Sequence, residues 1–554
     1  MEIVCALVLN FLIGQAPVVA QPLYFTGKSD PVISEPLSAM VTDSPLRPIR
    51  IWILFTDKAV FTQADLNRRI ANRRAELPQR TLHRRALRGS GAAMLAYQDL
   101  PVCVEYVAAV RNTGALLRHQ SRWANAMSVD ATARQIQEIA ALPFVRRVQP
   151  VARAAPRDPI IEMVTDQVSP RDHDAEWYAA SFDQLNQIGI VQSHNAGFTG
   201  AGVIVGILDT GFNRTHSAFN QTTNGAHPVQ IVAEHDFVSS DGDTSQQPGD
   251  AADQSSHGTY ILGTLGAYHP TILVGGAFDA SFILAKTEDI SQEVPAEEDN
   301  YVAGLEWIES LGADMATSSL GYIDWYTQND LDGNTAITTI AVNAAIAHGL
   351  ICCTAAGNSG HDADPATSSL IAPSDAPLVL TCGAVNSEGT IASFSSDGPT
   401  ADGRVKPEIL ARGVATQTVS FSTNTNIVGV NGTSLSTPLV AGGVALILQA
   451  HPDWSADKVR RALFQTADDF LANSNFDPQY IRGYGIMDVM AAMQFIHGDI
   501  DGDGLANGRD IEPFVSALLG TNPNSDQQRR SDCDASGEIN AADTAIFVAD
   551  LLGN

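Results

Sequence analysis

The chain has 554 residues, a formal net charge of −29 and a pI near 4.6. That much negative charge repels phosphates, so nucleic acid and anionic membranes are excluded as partners. The length exceeds what one core serves and predicts three or four units, and six scattered cysteines exclude a dense disulfide framework.

Residues 1–20 hold an apolar stretch (3–13) and then Val18-Val19-Ala20, a small-residue cleavage pattern, which predicts a secretory signal peptide. The protein is then expected outside the cell, with no membrane span after signal removal, because no other run reaches eighteen apolar residues. A polar, Pro-rich linker covers 21–48. Between 49 and 153 the pattern predicts a strand (51–55), a basic helix (63–74), a linker of Pro, Gly and Ser, and a strand (102–108). A polar segment, a helix (131–141) and a last strand (145–151) follow, and together they imply a small α+β unit. Roughly eighteen Lys and Arg face roughly seven Asp and Glu between residues 47 and 153, so this basic leader and the acidic remainder are expected to attract. Residues 154–177 show no periodicity and read as a linker.

After a short helix (182–193) come apolar strands ending at Leu208, Leu284, Ser318, Ala355 and Val385, with helices at 300–310, 338–348 and 439–450. This alternation predicts a doubly wound parallel sheet. Three stretches in it carry chemistry. The apolar run 203–208 ends in Asp209, at the carboxyl end of a strand, where active-site rims form. Ser256-His257-Gly258-Thr259 opens a small-residue helix. Asn431-Gly432-Thr433-Ser434-Leu435-Ser436-Thr437-Pro438 opens an apolar helix, with Pro438 expected in its first turn. A serine nucleophile needs a neutral imidazole to take its proton and a carboxylate to fix the tautomer, and a helix N-terminus favours the negative charge that develops beside it. Alone, Ser434 would read equally as a helix cap.

The loop 236–253 and the insert 288–299 are acidic. They suit Ca²⁺ sites or a wall favouring cationic substrate residues, and equally a solvated surface; residues 330–335 read as a turn. Cys352, Cys353 and Cys382 lie in apolar runs and read as core residues of adjacent strands. Cys533 is left over in a polar loop, open to a free thiol or an intermolecular bridge.

The three motifs, with Ala355-Ala356-Gly357-Asn358, resemble those of the subtilisin-like serine proteases, the subtilases. The resemblance covers roughly residues 178–497 and implies an endopeptidase acting on proteins or peptides through Ser434, His257 and Asp209, with Asn358 in the oxyanion hole. It also implies that substrate pairs with Ser319-Leu320-Gly321 and that Ala355, Ala356 and Gly357 floor the first specificity pocket. The leader 49–153 resembles the family's propeptide, which implies a zymogen with its own propeptide as partner and 154–177 as activation linker. Leu435 stands where the family usually has Met, and Ser436 where it usually has Ala. An inactive protease-like binding scaffold would need a lost triad member, and none is lost. Acid-acting relatives that pair Glu and Asp with Ser are opposed by His257 and Asn358.

From residue 498 the pattern changes. Asp499, Asp501, Asp503, Leu505 and Asp510, and then Asp532, Asp534, Ser536, Glu538 and Asp543, repeat one spacing: oxygen side chains at positions 1, 3, 5 and 12, a carbonyl at 7 and a Gly at 6, which wraps Ca²⁺. The pair of loops, each followed by a short apolar helix, resembles an all-α dockerin module (498–554). That implies a cohesin-like partner, although Gly508-Arg509 and Ala541-Ala542, at positions where dockerins often choose partners, differ between copies.

Overall fold

The computed structural model describes residues 27–43, 47–89, 94–153, 161–162, 173–220, 227–291, 297–522 and 524–553. The signal-peptide expectation lies outside the described residues, as does most of the linker 154–177. The described chain divides into two compact units, one of residues up to 75 and 95–150, the other of residues 76–94 and 151 onward.

The first unit is built on a four-stranded antiparallel sheet in the order Leu116–Ser121, Ala126–Ala131, Ile49–Phe55, Val145–Pro150. Alternation puts Ile51, Ile53 and Phe55 on one face, where Val107, Val110, Ile136 and Ile139 from the helices Val104–Arg111 and Ala133–Ala141 complete a buried core. Three readings of this region are corrected. The stretch 102–108 alternates like a strand yet folds as the helix Val104–Arg111, because Val107 and Val110 recur at helical spacing against the sheet. The polar segment after it holds two strands, turned by Asn125 at φ 48°. The supposed linker after residue 74 holds the helix Gln79–Arg88, which belongs to the second unit.

The second unit is organised by a parallel sheet of seven strands. Their order is Ile409–Arg412, Leu380–Val385, Ile351–Ala355, Met315–Ser318, Ile204–Asp209, Ser281–Lys286, Gln230–Asp236. Helices cover both faces: Glu298–Ser310 and Ile337–Ala347 pack together on one, Ser256–Gly266 and Thr433–Ala450 on the other. Because both faces are covered, the strands are buried runs rather than alternating ones. The strand order reverses between Ile204–Asp209 and Met315–Ser318, and crevices for ligands open at the carboxyl ends there.

The helix Thr433–Ala450 is long and apolar enough to cross a membrane by length and composition, and it is buried inside this unit. Its one polar side chain near the end, Gln449, accepts the N–H groups of Thr199 and Gly200, both at 2.8 Å. Beyond residue 498 three helices, Ile511–Leu518, Ser525–Ser531 and Ala541–Leu551, close over Ile500, Phe514, Cys533 and Phe547. Cys533 is therefore a core residue and not part of an exposed loop. The segment packs within the second unit: Arg461 holds Asp550 at 2.8 Å with both side chains buried, and Arg529 donates to Gln465.

Candidate active site

Three chain segments bring the chemistry-bearing residues to the carboxyl end of the parallel sheet. Asp209 closes its strand fully buried, and its Oδ1 lies 2.7 Å from Nδ1 of His257. The same oxygen accepts the Thr210 N–H at 2.7 Å, which fixes the carboxylate against its own turn. His257 sits in the first turn of Ser256–Gly266, and its Nε2, also buried, makes no hydrogen bond among the described residues. With Nδ1 facing a carboxylate, the tautomer that suits this geometry carries the proton on Nδ1 and leaves Nε2 an acceptor.

Ser434 is the second residue of Thr433–Ala450, the helix packed against that of His257. Pro438 lies in the second turn, not the first. Lacking an N–H, it cannot donate the ladder hydrogen bond to the Ser434 carbonyl. Ser319 Oγ donates to that carbonyl instead, at 2.8 Å. Ser434 Oγ in turn donates to the Ser319 carbonyl at 3.3 Å.

Asn358 follows the strand Ile351–Ala355. Its Oδ1 accepts both the Thr433 N–H and the Thr433 hydroxyl at 2.9 Å, so its Nδ2 faces the other way. Gly432, at φ +147°, marks the space between: a Cβ there would sit 3.6 Å from both Asn358 Nδ2 and Ser434 N. Two N–H donors therefore border one small opening, which only glycine leaves unfilled. The sequence singles out Asn358 but not Thr433 or Thr210; both stand inside the quoted motifs, Thr210 beside Asp209 and Thr433 beside Ser434.

Ser319, Leu320 and Gly321 leave the end of Met315–Ser318, and a Cβ on Gly321 would meet Ile371 at 2.1 Å. Ala355 and Ala356 are buried, and the Ala356 carbonyl accepts from Ile371 N at 3.3 Å. Gly357, at φ +122°, has no room for a Cβ beside Ser396 Oγ, 2.6 Å away. Leu435 packs with Tyr260 and Val430. In the acidic loop, Asp236 and Asp250 each hold the buried Lys286 at 2.9 Å, so these two acids are paired inward. In the insert, Glu298 accepts from Tyr326 OH at 2.8 Å; residues 292–296 lie outside the described residues. Asp332 accepts the N–H groups of Asn334 and Thr335, which closes 330–335 as a turn. Cys352, Cys353 and Cys382 are free and buried, and burial pushes the Cys352 thiol up to about 12.

In the C-terminal loops, carboxylate oxygens of Asp499, Asp501 and Asp503 gather within 4.8 Å of one another, as do those of Asp532, Asp534 and Asp543. Gly504 and Gly537, at φ +88° and +86°, make the turn at position 6. Burial first, and then the neighbouring Asp543 and Asp534, raises Asp532 to about 7. Asp510 is not drawn into the first cluster; its Oδ1 accepts Ile500 N–H and its Oδ2 Asn507 N–H, so it closes the loop. The donor chemistry of hard carboxylate oxygens around a tight turn fits a hard cation. Leu505 and Glu538 carbonyls are met by Asn507 Nδ2 and Ser536 Oγ.

A doubly wound sheet with a histidine–carboxylate pair and a serine helix at its switch point is an arrangement that suits a serine hydrolase. The subtilase family (peptidase S8) matches residues 200–485, and the Bacteroidota-type peptidase S8 propeptide domain matches residues 50–162. This chain belongs to the subtilase family, a family of serine endopeptidases, and carries a propeptide ahead of its protease domain. Among its relatives, subtilisin E of Bacillus subtilis is 34% identical over 340 residues, 61% of this chain and 77% of that protein. The subtilisin of Bacillus pumilus is 33% identical over 310 residues, 56% of this chain and 98% of that protein. The crystal structure of fervidolysin from Fervidobacterium pennivorans superposes with a TM-score of 0.56 at 20% identity, covering 81% of this chain and 61% of that one, a likeness of fold.

Proposed function

We propose that the protein is a secreted endopeptidase that matures by cutting its own propeptide. In this reading Ser434 Oγ attacks the scissile carbonyl, and His257 Nε2 takes the proton and returns it to the leaving amine. Asp209 holds the ring and stabilises the imidazolium, and Asn358 Nδ2 with the Ser434 N–H receives the oxyanion. The observation that carries it is the 2.7 Å Asp209–His257 contact, which leaves Nε2 available in the first turn of a helix packed against that of the serine. Substrate adds as an extended strand beside Ser319-Leu320-Gly321, with its side chain over Ala355, Ala356 and Gly357. Secretion rests on the leader 1–20.

The C-terminal loops are read as Ca²⁺ sites of a dockerin-like module. Asp499, Asp501 and Asp503 in one loop and Asp532, Asp534 and Asp543 in the other would hold the ion, which would neutralise carboxylates that otherwise repel. Exposed Ile511, Val515 and Leu519, at four-residue spacing, leave an apolar stripe that suits a cohesin-like partner. The whole chain is tested by treating it with a fluorophosphonate probe and mapping the label and the new N-terminus by mass spectrometry. The expected result is label on Ser434 and a cut after the propeptide; Ser434→Ala should show neither. A mature N-terminus from Ser434→Ala in a protease-free preparation would refute self-maturation.

A further inference from the structure

The helix Gln79–Arg88 belongs to the catalytic unit although the chain on both sides of it folds into the propeptide unit. Its arginines, Arg80, Arg84, Arg85 and Arg88, all reach carboxylates of that unit. Arg85 spans the Glu309 carboxylate, with Nε on Oε1 and Nη2 on Oε2, both at 2.9 Å, and Arg84 Nη2 donates to the same Oε1. The side chains of Arg84, Arg85 and Glu309 are each 1% exposed or less. Arg88 donates to Asp314 Oδ1 at 2.7 Å and to the Pro452 carbonyl at 2.8 Å, while Arg80 reaches Asp314 Oδ2 and the Gly312 carbonyl. Other donors meet carbonyls at or just past helix ends: Arg84 gives to those of Glu309, Ala313 and His348, and Thr81 Oγ1 to that of Ser310.

The helices Glu298–Ser310 and Ile337–Ala347 both terminate at this place. Cations here meet the negative ends of two helix dipoles and satisfy carbonyls that have no partner inside their own helices. Gly312 and Gly349, at φ +88° and +80°, end those helices and also form the floor of the cleft. A Cβ on Gly312 would come 3.1 Å from Arg80 Cγ, and one on Gly349 would come 2.9 Å from Arg88 Cβ.

We propose that this cleft retains the arginine helix in the mature enzyme: residues 79–88 stay on the catalytic unit after the four-stranded propeptide unit has gone. Release of the helix would break two shared carboxylate clamps and several carbonyl contacts together, which makes departure slow. Release of the propeptide around it needs, besides the maturation cut in the linker 154–177, the addition of water across one peptide bond on each side of the helix, each hydrolysis giving a new carboxylate and a new amine. The stretch Gly89-Ser90-Gly91-Ala92-Ala93 supplies small residues of the kind proteases nick, and Glu76-Leu77-Pro78 precedes the helix. The inference rests on the maturation reading above.

The test collects active enzyme by size exclusion after self-processing, counts sites with the fluorophosphonate, and measures all chains by mass spectrometry under denaturing conditions. The expected result is one peptide containing residues 79–88 per labelled serine, without residues 116–150. Active enzyme lacking any such peptide overturns the proposal. A chain that stays whole overturns the maturation reading itself, which the new N-terminus reports separately. In Glu309→Gln/Asp314→Asn the retained peptide should fall at least tenfold, and equal retention would overturn the charge clamp. Should that variant not mature, wild-type enzyme stripped of the peptide takes its place. A synthetic peptide of residues 76–94 should then raise its Tm by several degrees, and the same peptide with Arg84→Ala and Arg85→Ala should not; equal shifts overturn the proposal.

Discussion

Thr433 directs both of its donors at one oxygen of Asn358, and that decides which way the amide nitrogen faces. On the proposed roles, Asn358→Ala removes one of two oxyanion donors and should lower kcat by about 100- to 1000-fold with KM little changed. A loss confined to KM would place Asn358 in substrate binding instead. Leu435 follows Ser434, fully buried with Tyr260 and Val430. Leucine carries no sulfur, so millimolar peroxide should leave most activity intact, whereas Leu435→Met, tolerated at a cost under about 1.5 kcal/mol, should be inactivated. Equal inactivation of both, with no sulfoxide at position 435, would show that this position does not control oxidation. The buried thiols of the strand that leads to Asn358 do not compete, because burial raises Cys352 to about 12 and Cys353 well above the ordinary thiol range, and it is the thiolate that reacts.

The arginine helix shows how an element can escape a reading of the sequence. Leu82 is the one apolar residue it buries, so no apolar stripe announces it, and its buried face is charge paired with Glu309 and Asp314 more than two hundred residues away. Periodicity finds elements that bury hydrocarbon and is blind to one that buries ion pairs. The motif-bearing strands and helices were legible for the opposite reason: each is a continuous apolar run with its functional residue at one end. Glu309 also gives this element a pH signature. Burial by itself would raise its pKa, but Arg84 and Arg85 outweigh burial and hold it near 2, below the ordinary 4.5. A carboxylate depressed in this way stabilises the fold fully above about pH 4.5, and that contribution is lost as the pH falls toward 2. In a Ser434→Ala background, Glu309→Gln should cost about 3–5 kcal/mol at neutral pH. The gap should narrow steadily between pH 4.5 and 2; a gap that stays constant to pH 2 would mean Glu309 is not held ionised by its arginines.

At the scale of the molecule, the C-terminal segment read from its repeats as a module of its own packs into the same compact unit as the parallel sheet. The repeats were legible because two copies keep one register. Their attachment was not, since Arg461 and Asp550 carry no local sign that they meet. If the loops hold Ca²⁺, titration calorimetry on the Ser434→Ala chain should show two sites, and Asp534→Ala should remove one. EDTA should lower the Tm and expose residues 498–554 to proteolysis while some peptidase activity survives. No binding heat and an unchanged Tm would reduce both loops to acidic turns.

Ser319 touches Ser434 twice, through its hydroxyl to the Ser434 carbonyl and through its own carbonyl to Ser434 Oγ. The rail on which a peptide would lie and the residue that would cut it are thus fastened to each other at a gap that Pro438 opens in the helix. Tuning preference by altering this rail therefore detunes turnover as well: Ser319→Ala should lower kcat by about tenfold, the worth of one hydrogen bond, before it raises KM.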